Sequence, residues 1–194
     1  MPRSCTIPKM SSVATLVTLA ESGQESRTWY PDARKQIIAG AVILDIAPGR
    51  FADLLSLFSP RVSVARSVRF AVHYAQTGQY KPDTIRSVRA AVGHYELTGR
   101  IRGPKTSAFA RVLRGDDSAI VLDVWMAVAL GVDQKRLSAK CVYSACSERI
   151  ARSAKLLGWT NAETQASIWG AVVSKNRRTV PSLFILPELD GIPF

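Results

Sequence analysis

Two side chains with complementary chemistry, Lys105 and Asp123, lie 18 positions apart in this 194-residue chain. A lysine amine is a nucleophile when part of it is unprotonated, and a carboxylate in a water-poor pocket stabilises positive charge developing on a substrate. Taken singly, Lys105 is better explained as a surface contact to phosphate and Asp123 as an acid at a helix N-terminus. Taken together with the turn before Lys105, they predict one site with an amine nucleophile and a stabilising carboxylate.

The segment before Lys105 indicates a tight turn between two helices. It reads Gly99-Arg100-Ile101-Arg102-Gly103-Pro104 and contains no acidic residue. Glycine permits the unusual dihedrals and the close backbone approach that such a turn needs. Because positive charge surrounds the turn, we expect it to contact phosphate. The arginines that supply this charge are Arg100, Arg102, Arg111 and Arg114.

This arrangement resembles the core of the endonuclease III-like helix-hairpin-helix DNA glycosylases. In that family a hairpin ending in Gly-x-Lys opens a helix, and the lysine attacks the sugar carbon left by the departing base. After a further helix, a short apolar run delivers an aspartate in a Val-Asp-Thr-His type motif, which here reads Leu122-Asp123-Val124-Trp125. The lysine-to-aspartate spacing is that of the bifunctional members. The letters differ at Ile101, which replaces the first hairpin glycine, and at Val124-Trp125, which replaces Thr-His.

The resemblance implies an all-α fold of the helix-hairpin-helix DNA glycosylase type, with two helical lobes flanking a cleft. It also implies base excision with AP-lyase chemistry, in which Lys105 forms a Schiff base with the sugar and Asp123 stabilises the transition state. In that family the hairpin backbone faces a DNA phosphate, often through a monovalent cation, and no other cofactor is implied here. The expected DNA-binding residues are Arg61, Arg100, Ile101, Arg102, Gly103 and Thr106.

Aromatic and polar side chains elsewhere in the chain could line a pocket for an extruded base. Ser59 follows a short apolar helix, where endonuclease III-like proteins place a serine-containing loop of the base pocket. Tryptophan and tyrosine rings stack on flipped bases, although ordinary core packing is the competing explanation for each ring. The candidate base-pocket residues are Trp29, Tyr30, Ser59, Trp125, Gln165 and Trp169.

The charge balance favours a polyanionic partner. The chain has 26 Lys and Arg against 15 Asp and Glu, and this net charge of +11 attracts nucleic acid. An acidic lipid surface is disfavoured because no apolar run reaches the roughly 18 residues of a membrane span and no helix stands out as a basic amphipathic anchor. The apolar run 13–20 also lacks the flanks and cleavage site of a signal peptide. We therefore expect a monomer that binds double-stranded DNA in the cytoplasm, at the nucleoid in a bacterium, and no membrane.

The three cysteines, Cys5, Cys141 and Cys146, do not form a metal-binding pattern. They contain no C-x-x-C pair and have no histidine at ligand spacing. Many endonuclease III-like enzymes carry a four-cysteine iron–sulfur loop near the C-terminus, and this sequence has no such loop. We expect no metal, and we expect Cys141 and Cys146 to be free thiols buried on a helix.

Apolar residues recur at helical spacing along most of the chain. No segment shows a sustained period of two, so we predict eight to ten helices. A helix over about 83–97 should enter the hairpin at about 97–106, Lys105 should open the next helix, and a third should carry Val121, Leu122 and Asp123. Thr160 and Glu163 form a capping box that should start the last helix.

The sequence shows no internal repeat and no linker that would divide it. We therefore expect one compact unit over residues 1–194, with an irregular tail from about residue 176. The tail residues that could dock onto this unit are Phe184, Ile185, Leu186 and Phe194.

Two other functions fit the same residues. The first is a base-hypermodification transferase of the kind found in some phages, related to these glycosylases, which would require a pyrophosphorylated base and a small amine donor. The second is a non-catalytic module whose hairpin only grips phosphate. In that case Lys105→Ala would lower the salt dependence of DNA binding by about one unit without a chemical effect. A carboxylate at Asp123 disfavours this module, because phosphate binding gains nothing from it.

Overall fold

The computed structural model describes residues 6–177 and 180–181, and within these ranges the protein is all-helical. This confirms the predicted all-α class and the predicted number of helices. Two short 3₁₀ helices, Gln24–Ser26 and Gln134–Ser138, accompany the nine α-helices of the described chain. The α-helices are α1 (Val13–Ser22), α2 (Trp29–Ile43), α3 (Pro48–Leu57), α4 (Val64–Thr77), α5 (Arg86–Thr98), α6 (Pro104–Leu113), α7 (Val124–Leu130), α8 (Lys140–Leu157) and α9 (Asn161–Arg177).

The chain divides into two compact units that are interleaved along the sequence. The first unit contains the described residues up to Tyr30 together with Asp117–Val180, so it holds α1, α7, α8 and α9. The second unit contains Pro31–Asp116 and holds α3, α4, α5 and α6. The helix α2 begins with Trp29 and Tyr30 of the first unit and continues in the second.

Two predicted boundaries differ from the structure. The helix before the hairpin begins at Arg86 rather than near residue 83, and Asp83 lies before it and pairs with Arg66. The helix after Asp123 begins at Val124, so Val121 and Leu122 are buried but precede it. The last helix ends at Arg177, next to the predicted start of the tail at about residue 176. The tail residues named above, Phe184, Ile185, Leu186 and Phe194, lie outside the described residues.

The helix α9 is the centre of the first unit and packs against α1, α7 and α8. Two glycines let it approach the segment after α1. A Cβ added at Gly170 would lie 2.0 Å from the Oγ of Ser26, and one added at Gly23 would lie 2.2 Å from the backbone oxygen of Ser167. The two backbones are therefore closer than any side chain at these two positions would allow.

A capping box fixes the start of α9, as the sequence predicts. The Glu163 amide donates to Thr160 Oγ1 (3.1 Å), and the Thr160 amide donates to a Glu163 carboxylate oxygen (2.7 Å). Arg27 donates to the other carboxylate oxygen (2.9 Å), and its guanidinium lies 4.6 Å from the centre of the Trp159 ring. Backbone and arginine donors together lower the pKa of Glu163 against the opposing effect of burial. The start of α9 is thereby tied to the segment between α1 and α2.

The helix α3 is the centre of the second unit, and its residues from Phe51 to Leu57 are all buried. Among them is a carboxylate, Asp53, which is only 5% exposed. Tyr95 on α5 donates to its Oδ2 (2.9 Å), and a guanidinium nitrogen of Arg114, which follows α6, lies 3.4 Å from each of its oxygens. Burial raises the pKa of Asp53, although Tyr95 and Arg114 oppose that rise. One buried carboxylate thus links α3 to the two helices on either side of the hairpin.

The cysteines only partly follow the prediction. Cys146 faces the core of the first unit as a free thiol, and burial raises its pKa. Cys141 is disulfide-bonded, so the expectation of a free buried thiol is wrong for this residue. It lies half-exposed in the first turn of α8, whereas Cys146 is fully buried. Cys5 lies outside the described residues.

Alanine substitutions at two helix-interior glycines should have opposite effects on stability. Gly170→Ala forces a Cβ against the Cβ of Ser26 at 2.5 Å, which should cost about 1–3 kcal/mol of unfolding free energy. Gly93→Ala on α5 meets no atom within 4 Å and should stabilise by about 0.5–1 kcal/mol through helix propensity. Urea unfolding of both variants measures these changes, and equal effects at the two sites would contradict the close approach of α9.

The contribution of Asp53 to the unfolding free energy should fall as the pH rises from about 4. The folded pKa of Asp53 lies above the ordinary aspartate value of 3.8, so from about pH 4 up to the folded pKa the native state binds more protons than the unfolded chain. Asp53→Asn should therefore remove this loss of stability from urea unfolding curves recorded between pH 4 and pH 7. Asp83→Asn is the matched control of opposite sign, because the hydrogen bond from Arg66 lowers the pKa of Asp83. Parallel curves for the wild type and Asp53→Asn would contradict the assignment.

Candidate functional site

The hairpin between α5 and α6 consists of five residues, Gly99–Gly103, and lies within the predicted range 97–106. Gly99 ends α5 in the left-handed conformation (φ 67°), and its amide donates to the Tyr95 carbonyl (2.7 Å). Gly103 precedes α6 with φ 91° and ψ 135°, a conformation that side chains strongly disfavour. No side chain caps α6 there, and Pro104 occupies its first position. The exposed glycine therefore leaves the N-terminal end of α6 sterically open.

The arginines around the hairpin fall into two groups. Arg111 donates to Asp116 (2.8 Å) and Arg114 pairs with Asp53 (3.4 Å), so these two expected phosphate contacts are engaged with carboxylates. Arg100 and Arg102 are exposed, and neither pairs with a carboxylate among the described residues. Of these four arginines, Arg100 and Arg102 are therefore the two whose charge no carboxylate of the described residues offsets.

A pocket of about 450 Å³ opens beside the hairpin within the second unit. Its wall combines the three central hairpin residues with two side chains from the last turns of α5. Sequence reasoning treated the histidine of this pair as an isolated core or surface residue. The signal that could have found it is the i, i+4 spacing of His94 and Thr98 directly before Gly99. The residues lining the pocket are His94, Thr98, Arg100, Ile101 and Arg102.

The remaining candidate residues of the second unit are dispersed. Lys105 is the second residue of α6 and is half-buried, as is Thr106 beside it. Arg61 is exposed beyond the end of α3 and has φ 62°, which is unusual for a residue other than glycine. The Ser59 hydroxyl donates to the Ser56 carbonyl (2.8 Å), so it closes the end of α3. Arg61 and Ser59 do not line the hairpin pocket.

In the first unit, Asp123 is the N-cap of α7 and is half-buried. Its Oδ1 accepts from the backbone amides of Trp125 (2.9 Å) and Met126 (3.0 Å), which is the usual role of an N-cap aspartate. Its Oδ2 accepts from the indole nitrogen of Trp169 on α9 (3.2 Å). A carboxylate offers about four acceptor positions. These three donors therefore fix its orientation and leave one position on Oδ2.

Four of the candidate base-pocket residues come together beside Asp123. The Trp29 ring packs edge-on against Tyr30 (centroids 5.0 Å apart) and against Trp169 (5.8 Å). The Tyr30 hydroxyl donates to Oε1 of Gln165 (2.5 Å), and both of these residues are buried. The sequence could not show this grouping, since α2 and α9 lie more than a hundred residues apart. Trp125, also in the first unit, packs against its hydrophobic core.

Lys105 and Asp123 belong to different units, Lys105 to the second and Asp123 to the first. Each unit therefore carries its own group of candidate residues. The second unit has the hairpin, Lys105 and the unpaired arginines. The first unit has Asp123 with its indole donor and the neighbouring rings.

The model of one protein family matches residues 10–178, which is most of the chain. The protein belongs to DUF7178, a family of unknown function. Comparison with the curated proteins and with the solved structures yields no match.

The described part of this DUF7178 protein contains no group of three or more His, Cys, Asp or Glu side chains that could hold a metal ion. None of the helices in residues 6–177 combines the length and the apolar character that a membrane span requires.

Replacing Asp123 of this DUF7178 protein by asparagine should test its bond to Trp169. The amide oxygen preserves the cap, but its NH₂ group then faces the indole N–H, so we expect a loss of about 1 kcal/mol of unfolding free energy. Most of this loss should vanish in a Trp169→Phe background, where no donor opposes the amide. Asp133→Asn is the control, because Asp133 caps the 3₁₀ helix Gln134–Ser138 through the Lys135 amide. Additive effects of the two substitutions in denaturant unfolding would contradict the bond.

Proposed function

We propose that the protein excises a base from double-stranded DNA, with Lys105 as the nucleophile and Asp123 as the stabiliser of the transition state. The observation that carries the proposal is the fixed carboxylate of Asp123, which accepts from the indole of Trp169, while the Trp29 ring packs against that of Trp169. A half-buried carboxylate held by three N–H donors is preorganised to stabilise positive charge, because it need not reorient when that charge appears.

The hairpin supports DNA as the substrate. A turn with two left-handed glycines and no capping side chain allows a phosphate to approach the N-terminal end of α6, where the helix dipole favours an anion. Arg100 and Arg102 add two guanidinium groups without carboxylate partners among the described residues. Contacts of this kind position a duplex without reading its sequence.

The rings beside Asp123 support a base as the reacting group. Enzymes that act on a base extrude it from the stack and hold it against aromatic side chains. Trp29 and Trp169 are half-buried rather than fully enclosed, so part of each ring is accessible. Gln165 is buried and accepts from the Tyr30 hydroxyl, so it positions the Tyr30 ring against which Trp29 packs.

The proposed reaction begins at the sugar carbon that carries the base. The unprotonated amine of Lys105 forms a bond to the sugar C1′, while the electron pair of the glycosidic bond leaves with the base, which takes up a proton. The amine loses a proton, and its electron pair forms the C=N bond as O4′ leaves C1′ with the electron pair of the ring bond and takes up a proton, which gives an iminium between Lys105 and C1′. Loss of a proton from C2′ to water then expels the 3′ phosphate with its electron pair and forms a C2′–C3′ double bond. Addition of water to C1′ finally breaks the bond to nitrogen and releases the aldehyde end of the cut strand and the free lysine. The carboxylate of Asp123 stabilises the charge on the sugar during the first step.

The proposal also covers partner and location. We infer a monomer that acts on DNA in the cytoplasm without a metal or cofactor, since an amine and a carboxylate supply the chemistry. Disulfides are rare in that compartment, so the bond at Cys141 is the observation that counts against this location.

Borohydride trapping on labelled duplexes should give a covalent adduct that depends on Lys105. The duplexes carry an abasic site or one of a panel of damaged and modified bases. Borohydride reduces the iminium to a stable amine, so the wild type should shift the labelled strand and Lys105→Ala should not. Asp123→Asn should lower the rate of adduct formation on the base-containing duplex by at least about a hundredfold, as expected when a preorganised electrostatic group is lost.

The matched control is Lys140→Ala, which removes the lysine at the first position of α8. It should trap like the wild type. An adduct that persists in Lys105→Ala would refute the role of this lysine. No adduct on any duplex, with salt-sensitive DNA binding intact, would refute the lyase chemistry and favour base modification or simple DNA binding.

A further inference from the structure

Three exposed basic side chains lie close together in the chain at the start of α8, in the first unit. Lys135 and Arg136 are on the 3₁₀ helix Gln134–Ser138, and Lys140 is the first residue of α8. The sequence contains no acidic residue from position 134 to position 140, and the first turn of α8 contains none. Only Ala139 separates the two helices, so the three cations share one short stretch of surface.

Tertiary contacts bring a fourth cation, Lys9, to the same end of the unit. The Ser11 amide donates to the Leu130 carbonyl at the end of α7 (2.9 Å). Arg136 donates to the Thr6 carbonyl, and it keeps its full charge because that acceptor is neutral. These two contacts hold both ends of the segment that contains Lys9 against the chain between α7 and α8. Lys9 is exposed, so its ammonium group adds to the positive surface.

Carboxylates do not neutralise this surface. We call Lys9, Lys135, Arg136 and Lys140 the basic cluster. None of its members pairs with a carboxylate among the described residues. The acidic residue just before it, Asp133, accepts from the Lys135 amide and caps the 3₁₀ helix. Cations on one surface repel each other, and neutralising them with phosphates releases the counterions that nucleic acid carries. The basic cluster therefore suits a polyanion.

We propose that the basic cluster is a second DNA-contact surface, which holds the phosphate backbone without reading its sequence. It belongs to the first unit, whereas the hairpin belongs to the second. The choice of DNA as the polyanion rests on the proposed function. A surface of this kind binds undamaged DNA as well as a target site, so it keeps the protein on the duplex while it searches.

A lipid surface fits the basic cluster less well than DNA does. Binding at a lipid interface requires exposed apolar area as well as positive charge. In the segments 6–12 and 131–140, which carry the cluster, Ile7 is the one large apolar side chain that is exposed.

Binding of an undamaged labelled duplex, measured by fluorescence anisotropy over a range of salt concentrations, tests the cluster apart from catalysis. Lys9→Gln, Lys135→Gln and Lys140→Gln should each lower the magnitude of the slope of log K against log salt by about 0.9 and weaken binding about fivefold near physiological salt. The triple variant should bind roughly a hundredfold more weakly than the wild type. Arg136 is kept in every variant, because its bond to Thr6 also positions the segment that carries Lys9.

Lys155→Gln is the matched control, because it removes the same charge from the same helix. Lys155 is exposed and lies about 22 Å from Lys140 along the axis of α8. Its substitution should change the slope less than Lys140→Gln does, and Lys140→Arg should keep the wild-type slope because it keeps the charge. Circular dichroism melting of every variant verifies that it is folded.

Chemical acetylation of the wild type with and without the duplex, read by mass spectrometry, locates the contact directly. Bound DNA should protect Lys9, Lys135 and Lys140 from acetylation and should leave Lys155 reactive.

The outcomes separate the basic cluster from the proposed chemistry. Unchanged slope and affinity in the folded triple variant would overturn the contact surface, even if Lys105-dependent trapping succeeds. An equal loss in Lys155→Gln would also overturn it, because the effect would then be that of net charge. A reduced slope with selective protection supports the surface, even if no duplex gives an adduct. If the wild type does not bind the duplex but sediments with phosphatidylserine vesicles through these lysines, the partner is a lipid surface and the assignment to DNA is wrong.

Discussion

The close approach of α9 to the segment after α1 is the constraint on which the first unit depends. Gly23 and Gly170 face Ser167 and Ser26 with no space for a Cβ, so the axial position of α9 is set by backbone contact rather than by deformable side chains. The capping box of Thr160 and Glu163, to which Arg27 donates, fixes the start of the same helix.

Once α9 is fixed, Gln165 and Trp169 are fixed with it. Trp169 can then donate to Asp123, and Gln165 can accept from Tyr30. The candidate carboxylate and the rings beside it therefore depend on packing that lies several residues away from them.

The second unit uses a polar contact for a comparable purpose. Asp53 sits on the buried helix α3 and contacts Tyr95 near the end of α5 and Arg114 after α6. An apolar residue there would avoid the cost of burial that raises the pKa of Asp53. A directional contact to both flanking helices specifies how they diverge from the hairpin, which apolar packing specifies less sharply. Burial also raises the pKa of Tyr95 to about 12, and the Tyr95 hydroxyl donates to the carboxylate. The geometry of the hairpin therefore depends on a group that has no contact with the hairpin itself.

The features that were predicted from the sequence are those that depend on interactions between residues close together in the chain. The all-α class, the hairpin between α5 and α6, and the capping box of α9 follow from spacing, glycine positions and side-chain chemistry within a few residues. One local boundary was wrong: Val121 and Leu122 fit a helical pattern, but Asp123 caps the helix that follows them, which begins at Val124. Contacts between residues distant in sequence were not predicted. Asp53 is indistinguishable in the sequence from an exposed helical acid, and only its contacts with α5 and Arg114 reveal it as buried. The indole bond from Trp169 to Asp123, which joins residues 46 positions apart, follows from no local pattern.

Net charge alone does not show which surface of a protein binds an anion. Knowing which arginines already pair with carboxylates reduces the number of candidate surfaces. An arginine joined to a carboxylate forms a dipole whose field decays faster than that of a single charge, and it must give up that partner to contact a phosphate. In the second unit Arg50, Arg66, Arg111 and Arg114 are all in this position. The arginines of the hairpin keep their full charge, and they flank glycines that let another backbone approach closely. A sequence with the same net charge but with carboxylates opposite Arg100 and Arg102 would attract DNA over a distance without holding it at the hairpin. The distribution of carboxylate partners, rather than the count of 26 basic against 15 acidic residues, is therefore the stronger argument for the proposed contact between the hairpin and DNA.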